Sequence, residues 1–255
     1  RNGGCGQCKC TVLYGPVEQG PHQESALSAA ERTAGKVLAC SAVALADIEL
    51  EYAPLGPPGG LHSRVYTAKV TAMQKASDDV MLVKLKVDGE PIRFYAGQYL
   101  NILLPGAGSE KRSFSFATAP HVNSEIELQI RLIPGGRFTT HVFTAMKVGD
   151  TVRFEGPLGS FFLREDSTKP IIFVAGATGF APVKSMVEHA FHIKMKRRII
   201  LYWGVRSWKD LYLPELPQRW VAEHPNFTFV PVLSAPKPED NWTGRTGLVH
   251  EAILA

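Results

Sequence analysis

The chain has 255 residues, of which 45% are hydrophobic and 20% are charged, and its formal net charge at pH 7 is +4. This composition is typical of a globular protein with enough apolar side chains for one or more cores, and so small a charge argues against a nucleic-acid-binding protein. No apolar stretch approaches the roughly 18 residues that a transmembrane helix needs, so a membrane span is not expected.

The first segment, residues 1–52, is predicted to contain short strands and one helix. Strand-like sequences occupy residues 10–14, 36–40 and 48–52. Ser28 and Glu31 have the spacing of a capping box, and Gly35 is the residue type that commonly follows a helix. The eight residues 53–60 include three prolines and three glycines, which predicts an interdomain linker.

The same segment carries a cluster of cysteines in a glycine-rich loop. Three of the four cysteines fall within six positions, at Cys5, Cys8 and Cys10, and Cys40 follows downstream. Half a zinc ribbon or a redox pair would also contain CxxC, but a zinc site usually adds a second CxxC or a histidine pair. The plant-type iron–sulfur pattern is C-x4-C-x2-C followed by a distant cysteine. Cys5, Cys8 and Cys40 match three of those four ligands, and the first would precede Arg1. Cys10 is predicted to be a buried thiol, because it lies too close to Cys8 to reach another corner of a cluster.

The second segment, residues 61–164, has the period-two alternation of half-buried strands. Apolar residues alternate with charged or polar ones over residues 83–87 and 126–132. Half-buried strands that are evenly spaced predict a small barrel.

Two motifs of this segment offer groups that suit a phosphorylated cofactor with a flat ring. They are Arg112-Ser113-Phe114-Ser115, which closes one strand, and Gly135-Gly136-Arg137-Phe138-Thr139-Thr140, which begins a predicted helix. An arginine can bind a pyrophosphate, an aromatic side chain can cover a flat ring, and a hydroxyl can reach a ring nitrogen. Glycines and threonines before a helix offer amides and hydroxyls to phosphates. Each motif alone is a weak signal, and their order along the chain makes them a strong one together.

The third segment, residues 165–255, changes its period. An apolar strand at 171–175, a glycine turn, a helix at 182–194 and a second apolar strand at 199–203 predict a strand–helix–strand unit with a parallel sheet. The turn and the start of the helix contain Gly176, Thr178, Gly179 and Pro182. Free amides at a helix start attract phosphate, but the spacing is not GxGxxG, so a plain tight turn is the alternative. Gly204 and Arg206 end the second strand, where ligands of parallel sheets bind.

At these motifs the chain resembles a known family. GGCGQC, LAC, YAGQYL, RSFS, GGRFTT, AGATGFAP, YWGVR and WTGRTG are similar to ferredoxin-NADP reductase-like electron-transfer proteins with an N-terminal plant-type ferredoxin domain. The family includes reductase components of bacterial oxygenases and CDP-6-deoxy-3,4-glucoseen reductases, and VEQGPHQESALSAAERTAG is most similar to the latter. The resemblance implies a multidomain protein with part of a β-grasp ferredoxin domain (1–52), an antiparallel six-stranded FAD-binding β-barrel (61–164) and an α/β parallel-sheet NAD(P)-binding domain (165–255). Family members continue beyond the WTGR-like strand, so the chain is expected to be a fragment at both ends.

The resemblance also implies roles for individual residues. Arg112 would bind the FAD pyrophosphate, Phe114 would lie against the isoalloxazine, and Ser115 would hydrogen-bond near its reactive nitrogen. The FAD phosphates would be held by Gly135, Gly136, Thr139 and Thr140, and Arg131 belongs to the same cofactor-binding set. The nicotinamide nucleotide would contact Gly176, Thr178, Gly179, Pro182, Gly204, Arg206 and Asp210. The metal ligands would be Cys5, Cys8 and Cys40. Phe114 stands where the family usually has tyrosine, and Ala177 replaces a frequent glycine, which is expected to tighten the nucleotide pocket.

The function that the resemblance implies is electron transfer. NADH or NADPH would reduce FAD, and the electrons would pass singly to a [2Fe-2S] cluster and then to a partner protein, with no side-chain acid or base required. The partner would be a sugar dehydrase, or alternatively a Rieske or di-iron oxygenase. An alternative of another class is a flavin-binding sensor or regulatory module without a working cluster.

Ser234-Ala235-Pro236 offers no basic residue to read a 2′-phosphate, which favours NADH. Clustered cysteines favour a reducing compartment, so the cytoplasm is expected, and the oligomeric state is left open. With three of four ligands, the chain as given is not expected to hold a stable cluster.

Overall fold

The structure is a computed structural model that describes residues 3, 4, 6, 8–52, 61–104, 110–122 and 124–254. The chain divides into two compact units, Arg1–Pro58 and Gly59–Ala255. The predicted linker at 53–60 and the predicted ligand Cys5 lie outside the described residues. Within the described ranges, no helix is long and apolar enough to cross a membrane.

The first unit contains short strands and one short helix. They are β1 (Lys9–Tyr14), β2 (Val17–Gln19), α1 (Ala29–Thr33), β3 (Lys36–Leu38), β4 (Ala42–Ala44) and β5 (Glu49–Glu51). Strand β1 pairs antiparallel with β3 and with β5, and β2 pairs antiparallel with β4. The capping box predicted at α1 is confirmed, because the Glu31 amide donates to the Ser28 hydroxyl at 3.3 Å and the Ser28 amide donates to the Glu31 carboxylate at 3.0 Å.

The second unit begins with an antiparallel barrel. Its elements are β6 (Arg64–Lys75), β7 (Val80–Val87), β8 (Tyr99–Leu103), β9 (Lys111–Ser115), β10 (Ile126–Arg131), α2 (Arg137–Thr144) and β11 (Thr151–Leu158). The six strands are ordered β10-β7-β6-β11-β8-β9, and every pair is antiparallel. The alternation predicted over residues 83–87 is confirmed, since Val83, Leu85 and Val87 are buried while Lys84 and Lys86 are exposed. A period of two places these apolar side chains on one face of the strand, towards the barrel core.

The second half of this unit is a parallel sheet with helices. Its elements are β12 (Ile171–Gly176), α3 (Phe180–His192), β13 (Ile199–Val205), α4 (Glu215–Glu223), β14 (Phe227–Leu233), β15 (Arg245–Thr246) and α5 (Glu251–Leu254). The strand order is β12-β13-β14-β15, all parallel. We refer to residues 171–254 as the nucleotide half. The predicted combination of an antiparallel six-stranded barrel with a parallel-sheet domain is confirmed.

The barrel and the nucleotide half share one apolar cluster. Val80 and Leu82 of β7 pack in the same buried cluster as Phe180 and Trp203 of the nucleotide half. These two β7 residues lie on the opposite face from Val83 and Leu85, which pack in the barrel core. Because β7 is apolar on both faces along this stretch, it supports two cores at once, and the barrel and the nucleotide half form a single compact unit. The three domain boundaries drawn from the sequence remain predictions.

Candidate functional site: two clefts that share strand β10

The larger cleft, which we call the barrel cleft, lies between the barrel and the start of α3 and has a volume of about 440 Å³. Its lining comprises Arg112, Ser113, Phe114, Ser115, Gln129, Arg131, Ile133, Gly136, Phe138, Thr139, Thr178, Gly179, Ala181 and Pro182. Nine of the predicted site residues are therefore in one cavity, although they come from four separate stretches of sequence. Antiparallel pairing of β8 with β9 places the RSFS motif on one wall, and α2 forms another.

Arg112 faces this cleft with its charge partly neutralised by the protein. Its guanidinium forms an ion pair with Glu110 and donates to the Lys111 carbonyl at 3.0 Å. Glu110 also lies 3.8 Å from Arg137, so one carboxylate sits between two arginines. Two guanidinium groups around one anionic position are the donor set that a pyrophosphate requires. The residues therefore fit a phosphate-bearing cofactor that would replace Glu110 as the partner of Arg112.

The aromatic wall of the barrel cleft consists of two phenylalanines. The Phe114 and Phe138 rings have centroids 5.5 Å apart at an interplanar angle of 50°. Phe114 is only partly buried, and Ser115 beside it pairs with Tyr99 across the sheet. An exposed ring face next to a hydroxyl is suited to a flat heteroaromatic ring with polar edges. Phe114 lacks the hydroxyl that a tyrosine would have, and this does not change the ring face.

The turn before α2, residues 133–139, is closed by its own side chain. The Ile133 amide donates to the Thr139 hydroxyl at 3.1 Å, and that hydroxyl donates to the Gly136 carbonyl at 3.2 Å. Thr139 is buried, and a Cβ placed on Gly136 would lie 2.6 Å from its hydroxyl oxygen. Gly135 has a φ of +73°, a conformation that favours glycine. Thr139 therefore shapes the loop from within the protein.

Thr140 and Gly135 belong to the same turn but stand apart from the cavity lining. Thr140 is exposed, and its amide donates to the Gly136 carbonyl at 2.9 Å as the first helical hydrogen bond of α2. The predicted roles of these two residues toward FAD phosphates stay predictions.

The smaller cleft, which we call the sheet-edge cleft, has a volume of about 240 Å³ and lies at the carboxyl ends of β12 and β13. It is lined by Asp79, Val80, Arg131, Gly176, Ala177, Gly204, Val205, Arg206, Asp210, Tyr212, Ser234, Gly247, Leu248 and Val249. This is the position where parallel sheets bind ligands. Four of the predicted nucleotide residues lie here, and the other three, Thr178, Gly179 and Pro182, line the barrel cleft.

The glycines of the sheet-edge cleft serve different purposes. A Cβ on Gly176 would have no neighbour within 4 Å, and the same holds for Gly179 at the start of α3. Neither residue has a positive φ, so a side chain added at either position would cause no backbone strain. It would extend into open space. A Cβ on Gly204, in contrast, would lie 2.5 Å from the Cβ of Val249. Gly204 is thus required by packing, whereas Gly176 and Gly179 leave room for a ligand.

Ala177 is the strained residue of this turn. Its φ is +46°, which is unusual for a residue with a Cβ. Its carbonyl accepts a hydrogen bond from the Trp203 indole at 3.0 Å, which holds the turn against β13. Glycine would adopt this conformation freely, whereas alanine adopts it at a cost.

Arg206 and Asp210 follow β13 at the same cleft. The Arg206 side chain is exposed and forms no hydrogen bond or ion pair within the part of the chain that the structure describes. The Asp210 carboxylate accepts from the Ser207 amide at 2.9 Å and from the Ser207 hydroxyl at 3.0 Å. Asp210 therefore caps the short turn that follows β13, and one of its two oxygens is engaged in that cap.

The cysteines form a separate candidate metal site in the first unit. Cys8 and Cys40 have free thiols, and both pack against the small core of Ala26, Leu27 and Leu38. The hydrogen bond from Cys8, together with one from the Gly3 backbone, lowers the pKa of the Cys40 thiol, while burial raises the pKa of Cys8. A cysteine with a lowered thiol pKa beside a backbone amide is suited to ligate an iron–sulfur cluster.

The ligand set at this site is incomplete within the described residues. No group of three metal-binding side chains comes together among them, and the predicted third ligand, Cys5, lies outside them. Cys10 is buried with its thiol 3.8 Å from the Val37 carbonyl, which confirms that it is a core thiol. The chemistry of Cys8 and Cys40 fits a cluster, and their geometry alone does not complete one.

Comparison with known proteins agrees with the fold. Three family models match: a 2Fe-2S iron-sulfur cluster binding domain over residues 1–45, an oxidoreductase FAD-binding domain over 67–163 and an oxidoreductase NAD-binding domain over 173–255. CDP-6-deoxy-L-threo-D-glycero-4-hexulose-3-dehydrase reductase of Yersinia pseudotuberculosis is 35% identical over 255 residues, which is 100% of this chain and 75% of that protein. The reductase component DmpP of phenol 2-monooxygenase from Pseudomonas sp. strain CF600 is 38% identical over 256 residues, covering 100% of this chain and 72% of that protein. The crystal structure of Amycolatopsis cytochrome P450 reductase GcoB superposes with a TM-score of 0.76 at 36% identity, over 99% of this chain and 76% of that one.

The chain belongs to the ferredoxin-NADP reductase-like flavoproteins with a 2Fe-2S domain. As a member of this family it is an oxidoreductase with domains for FAD, NAD and a 2Fe-2S cluster. Its relatives are reductase components, which indicates an electron-accepting partner protein. The barrel cleft lies in the part matched by the FAD-binding domain and reaches the start of the NAD-binding domain, and the sheet-edge cleft lies mainly in the latter.

Sequence reasoning missed several residues of this flavoprotein site. Gln129 lines the barrel cleft, Tyr212 lines the sheet-edge cleft, and the two are hydrogen-bonded. Arg131 is among the predicted cofactor-binding residues, and the fold adds that it lines both clefts and forms an ion pair with Asp79 at 2.7 Å, so β10 is a shared wall. The sequence shows that polar residues alternate with apolar ones along β10. Only the fold shows that the nucleotide half covers the polar face of this strand. The sequence does not indicate a role for Glu110 either, because that role depends on two arginines that folding brings close to it.

Proposed function

We propose that this protein takes electrons from NADH, passes them through FAD and a [2Fe-2S] cluster, and delivers them to a sugar dehydrase of the CDP-6-deoxyhexulose 3-dehydrase type. The observation that carries the proposal is the adjacency of the two clefts, which share Arg131 of β10. Bound there, the nicotinamide would supply a hydride and FAD would accept its two electrons, and the cofactors carry that chemistry. The protein's part is to hold both rings in one place.

In this proposal Arg112 binds the FAD pyrophosphate in exchange for Glu110, and Phe114 lies against the isoalloxazine with Ser115 at its polar edge. The backbone of Gly135 and Gly136 faces the phosphates. Thr139 supports the turn from behind, and Thr140 stands at its end. Gly176 and Gly179 leave room for the nicotinamide nucleotide, with Thr178, Pro182, Gly204, Arg206 and Asp210 around it. Cys5, Cys8 and Cys40 are the cluster ligands in this chain.

The dinucleotide is proposed to be NADH. Ser234 lines the sheet-edge cleft, and residues 234–236 contain no basic side chain that would read a 2′-phosphate. Comparing kcat/KM for NADH and NADPH tests this choice. A preference for NADPH would contradict it and would point to Arg206, the exposed cation of the same cleft.

The sugar dehydrase is proposed as the partner because the segment VEQGPHQESALSAAERTAG is most similar to the glucoseen reductases and the Yersinia relative is similar over all 255 residues of this chain. The second candidate is an oxygenase, which the 38% identity to the phenol 2-monooxygenase reductase favours. Incubating the full-length, cluster-loaded protein with NADH and either purified acceptor separates the two. Product formation with the dehydrase supports the first proposal, and product formation only with the oxygenase replaces it by the second.

The same preparation tests whether the cluster works. Reduction by NADH is expected to bleach the flavin and to produce the EPR signal of a reduced [2Fe-2S] cluster. Flavin bleaching without that signal would favour the alternative of a flavin-binding sensor. The free thiols of Cys8 and Cys40 support a reducing compartment, and the cytoplasm is the proposed location.

A further inference from the structure

The outward face of β10 carries polar side chains that are all engaged. Ile126, Leu128 and Ile130 point into the barrel core, which leaves Glu127, Gln129 and Arg131 on the other face. The outer face of a barrel strand is usually solvated, but the nucleotide half covers this one, and Gln129 is only 4% exposed. A buried amide needs hydrogen-bond partners, since an unsatisfied polar group costs free energy.

Tyr212 supplies the partner of Gln129 from the nucleotide half. Its hydroxyl donates to the Gln129 side-chain carbonyl at 2.6 Å, and both residues are buried. The Tyr212 ring packs edge-on against Trp203, with centroids 5.2 Å apart, and against Phe180 at 6.3 Å. Burial raises the pKa of Tyr212 well above its usual value, so the hydroxyl keeps its proton and remains a donor. This hydrogen bond connects a residue of the sheet-edge cleft with a residue of the barrel cleft.

The contact continues along β10 to the first helix of the nucleotide half. The Gln129 amide nitrogen donates to the Glu127 carboxylate at 3.1 Å, and the Lys184 ammonium of α3 lies 3.8 Å from that carboxylate. Lys184 also donates to the Ala117 carbonyl at 3.2 Å and to Glu188 at 3.1 Å. Each group in the row therefore has a partner, and its orientation is restricted from both sides.

We propose that Tyr212 and Gln129 are a positioning pair that sets the sheet-edge cleft against the barrel cleft and thereby fixes the nicotinamide relative to the flavin. This inference rests on the proposed function of the two clefts. Neither residue donates or accepts a proton in the reaction. Their hydrogen bond fixes the distance between two surfaces that each hold one cofactor, and the rate of a transfer between bound groups is steeply sensitive to such placement.

The test compares the Tyr212→Phe variant with wild type in the FAD-loaded protein. Phenylalanine keeps the ring packing and removes only the hydroxyl, which leaves the Gln129 carbonyl without its donor. In stopped-flow experiments at saturating NADH, the limiting rate of flavin reduction is expected to fall about tenfold or more. The FAD content and the apparent Kd for NADH are expected to stay within about twofold of the wild-type values. The lost hydroxyl is proposed to position the two clefts and not to bind either cofactor.

A second readout does not depend on turnover. Adding NAD⁺ to the oxidised protein is expected to perturb the flavin absorption spectrum where the two rings stack, and this perturbation should be smaller in Tyr212→Phe at equal NAD⁺ occupancy. Tyr66→Phe is the matched control, because Tyr66 is also buried, stacks on Phe154 at 5.3 Å and lines neither cleft. It is expected to behave as wild type in both experiments.

The double variant Tyr212→Phe/Gln129→Leu tests whether the two residues act as one unit. If they do, the double variant loses no more rate than the larger of the two single losses. Independent, multiplying losses would overturn the pairing. An unchanged limiting rate and spectrum in Tyr212→Phe, alongside a lower melting temperature, would show a merely structural role and would overturn the proposal. If NADH fails to reduce the flavin of the wild type, the proposed function fails instead, and the two failures are distinct.

Discussion

The two glycine turns of the second unit are similar in sequence and different in their surroundings. The turn before α2 is closed by Thr139, whose hydroxyl contacts the Ile133 amide and the Gly136 carbonyl. The turn before α3 is open, because a side chain added at Gly176 or Gly179 would contact nothing within 4 Å. A glycine- and threonine-rich stretch before a helix can therefore be completed by its own side chain or left for a ligand, and the two cases predict different effects of mutation.

The largest expected effect concerns Arg112, on which phosphate binding in the barrel cleft must depend if Thr139 is already engaged. Arg112→Ala removes a charge-assisted contact worth roughly 1.5–3 kcal/mol, so the Kd for FAD should rise by about 10- to 100-fold. Flavin fluorescence titration of the apoprotein measures this. The fold should persist by circular dichroism, and retention of wild-type FAD affinity would refute the assignment.

Glu110→Gln is the matched variant for that experiment. It removes the carboxylate that pairs with Arg112 and keeps its size. FAD should bind as tightly as in wild type or more tightly, because its pyrophosphate no longer competes with Glu110. Weaker binding would show that Glu110 helps the cofactor instead of competing with it.

Thr139→Val should show that the closed turn depends on its own side chain. The substitution keeps the shape but removes the buried Thr139 hydroxyl to which the Ile133 amide donates, which should lower the free energy of unfolding by about 0.5–1.5 kcal/mol. Urea denaturation followed by tryptophan fluorescence measures this. Thr140→Val, at the exposed neighbouring position, should change stability by less than about 0.5 kcal/mol. Equal effects of the two variants would contradict the role assigned to Thr139.

Gly176→Ala should show the opposite pattern for the open turn. No protein atom lies in the way of the new methyl group, so the melting temperature should be unchanged. If the nucleotide occupies that space, the KM for NADH should rise by about tenfold, the equivalent of about 1.4 kcal/mol. A destabilised protein with an unchanged KM would mean that the turn before α3, like the turn before α2, is filled by the protein's own atoms.

Ala177→Gly should relieve the strain within the open turn. The φ of +46° costs alanine roughly 1–2 kcal/mol, and the greater freedom of glycine in the unfolded chain offsets about 0.4–1 kcal/mol of this. A net gain of about 0.5 kcal/mol in unfolding free energy is expected from chemical denaturation. A loss of stability would show that the Trp203 contact depends on the methyl group and not on the carbonyl alone.

The smallest effect is expected at the far end of the helix that starts at the open turn. His121 of the barrel stacks on His192 of α3 with centroids 3.8 Å apart, and His189 lies at 6.2 Å. Burial lowers the pKa of His121, and so do the charges of His192 and His189. Because the folded state binds the proton more weakly than the unfolded chain, this contribution to stability is complete above a pH of about 6.5 and declines as the pH falls below it. Urea midpoints of wild type and His121→Gln should therefore diverge less at pH 5.5 than at pH 7.5, and a constant difference would contradict the pKa shift.

The prediction from sequence was most accurate where the cause was local. The capping box at Ser28 and Glu31, the alternation over 83–87 and the buried Cys10 were all predicted correctly, because each depends on neighbours in the chain or on a simple period. The combination of RSFS, GGRFTT and AGATGFAP also predicted which stretches would offer groups to cofactors, and eleven residues of these motifs line one cavity. The cysteine loop of the first unit is a different case, since Cys5 lies outside the described residues. The roles of all site residues remain proposals.

By itself, the sequence determined the element types, the family and the residue types that suit FAD, NADH and a cluster. Tertiary structure decided which of those residues are available. Thr139 is occupied by its own turn, Gly204 by Val249 and Arg112 by Glu110, while Gln129 of the barrel is bonded to Tyr212 across 83 positions of sequence. The physical reason is that a motif records the groups a segment can offer, whereas the contacts that use up or leave free those groups come from segments far away in the chain.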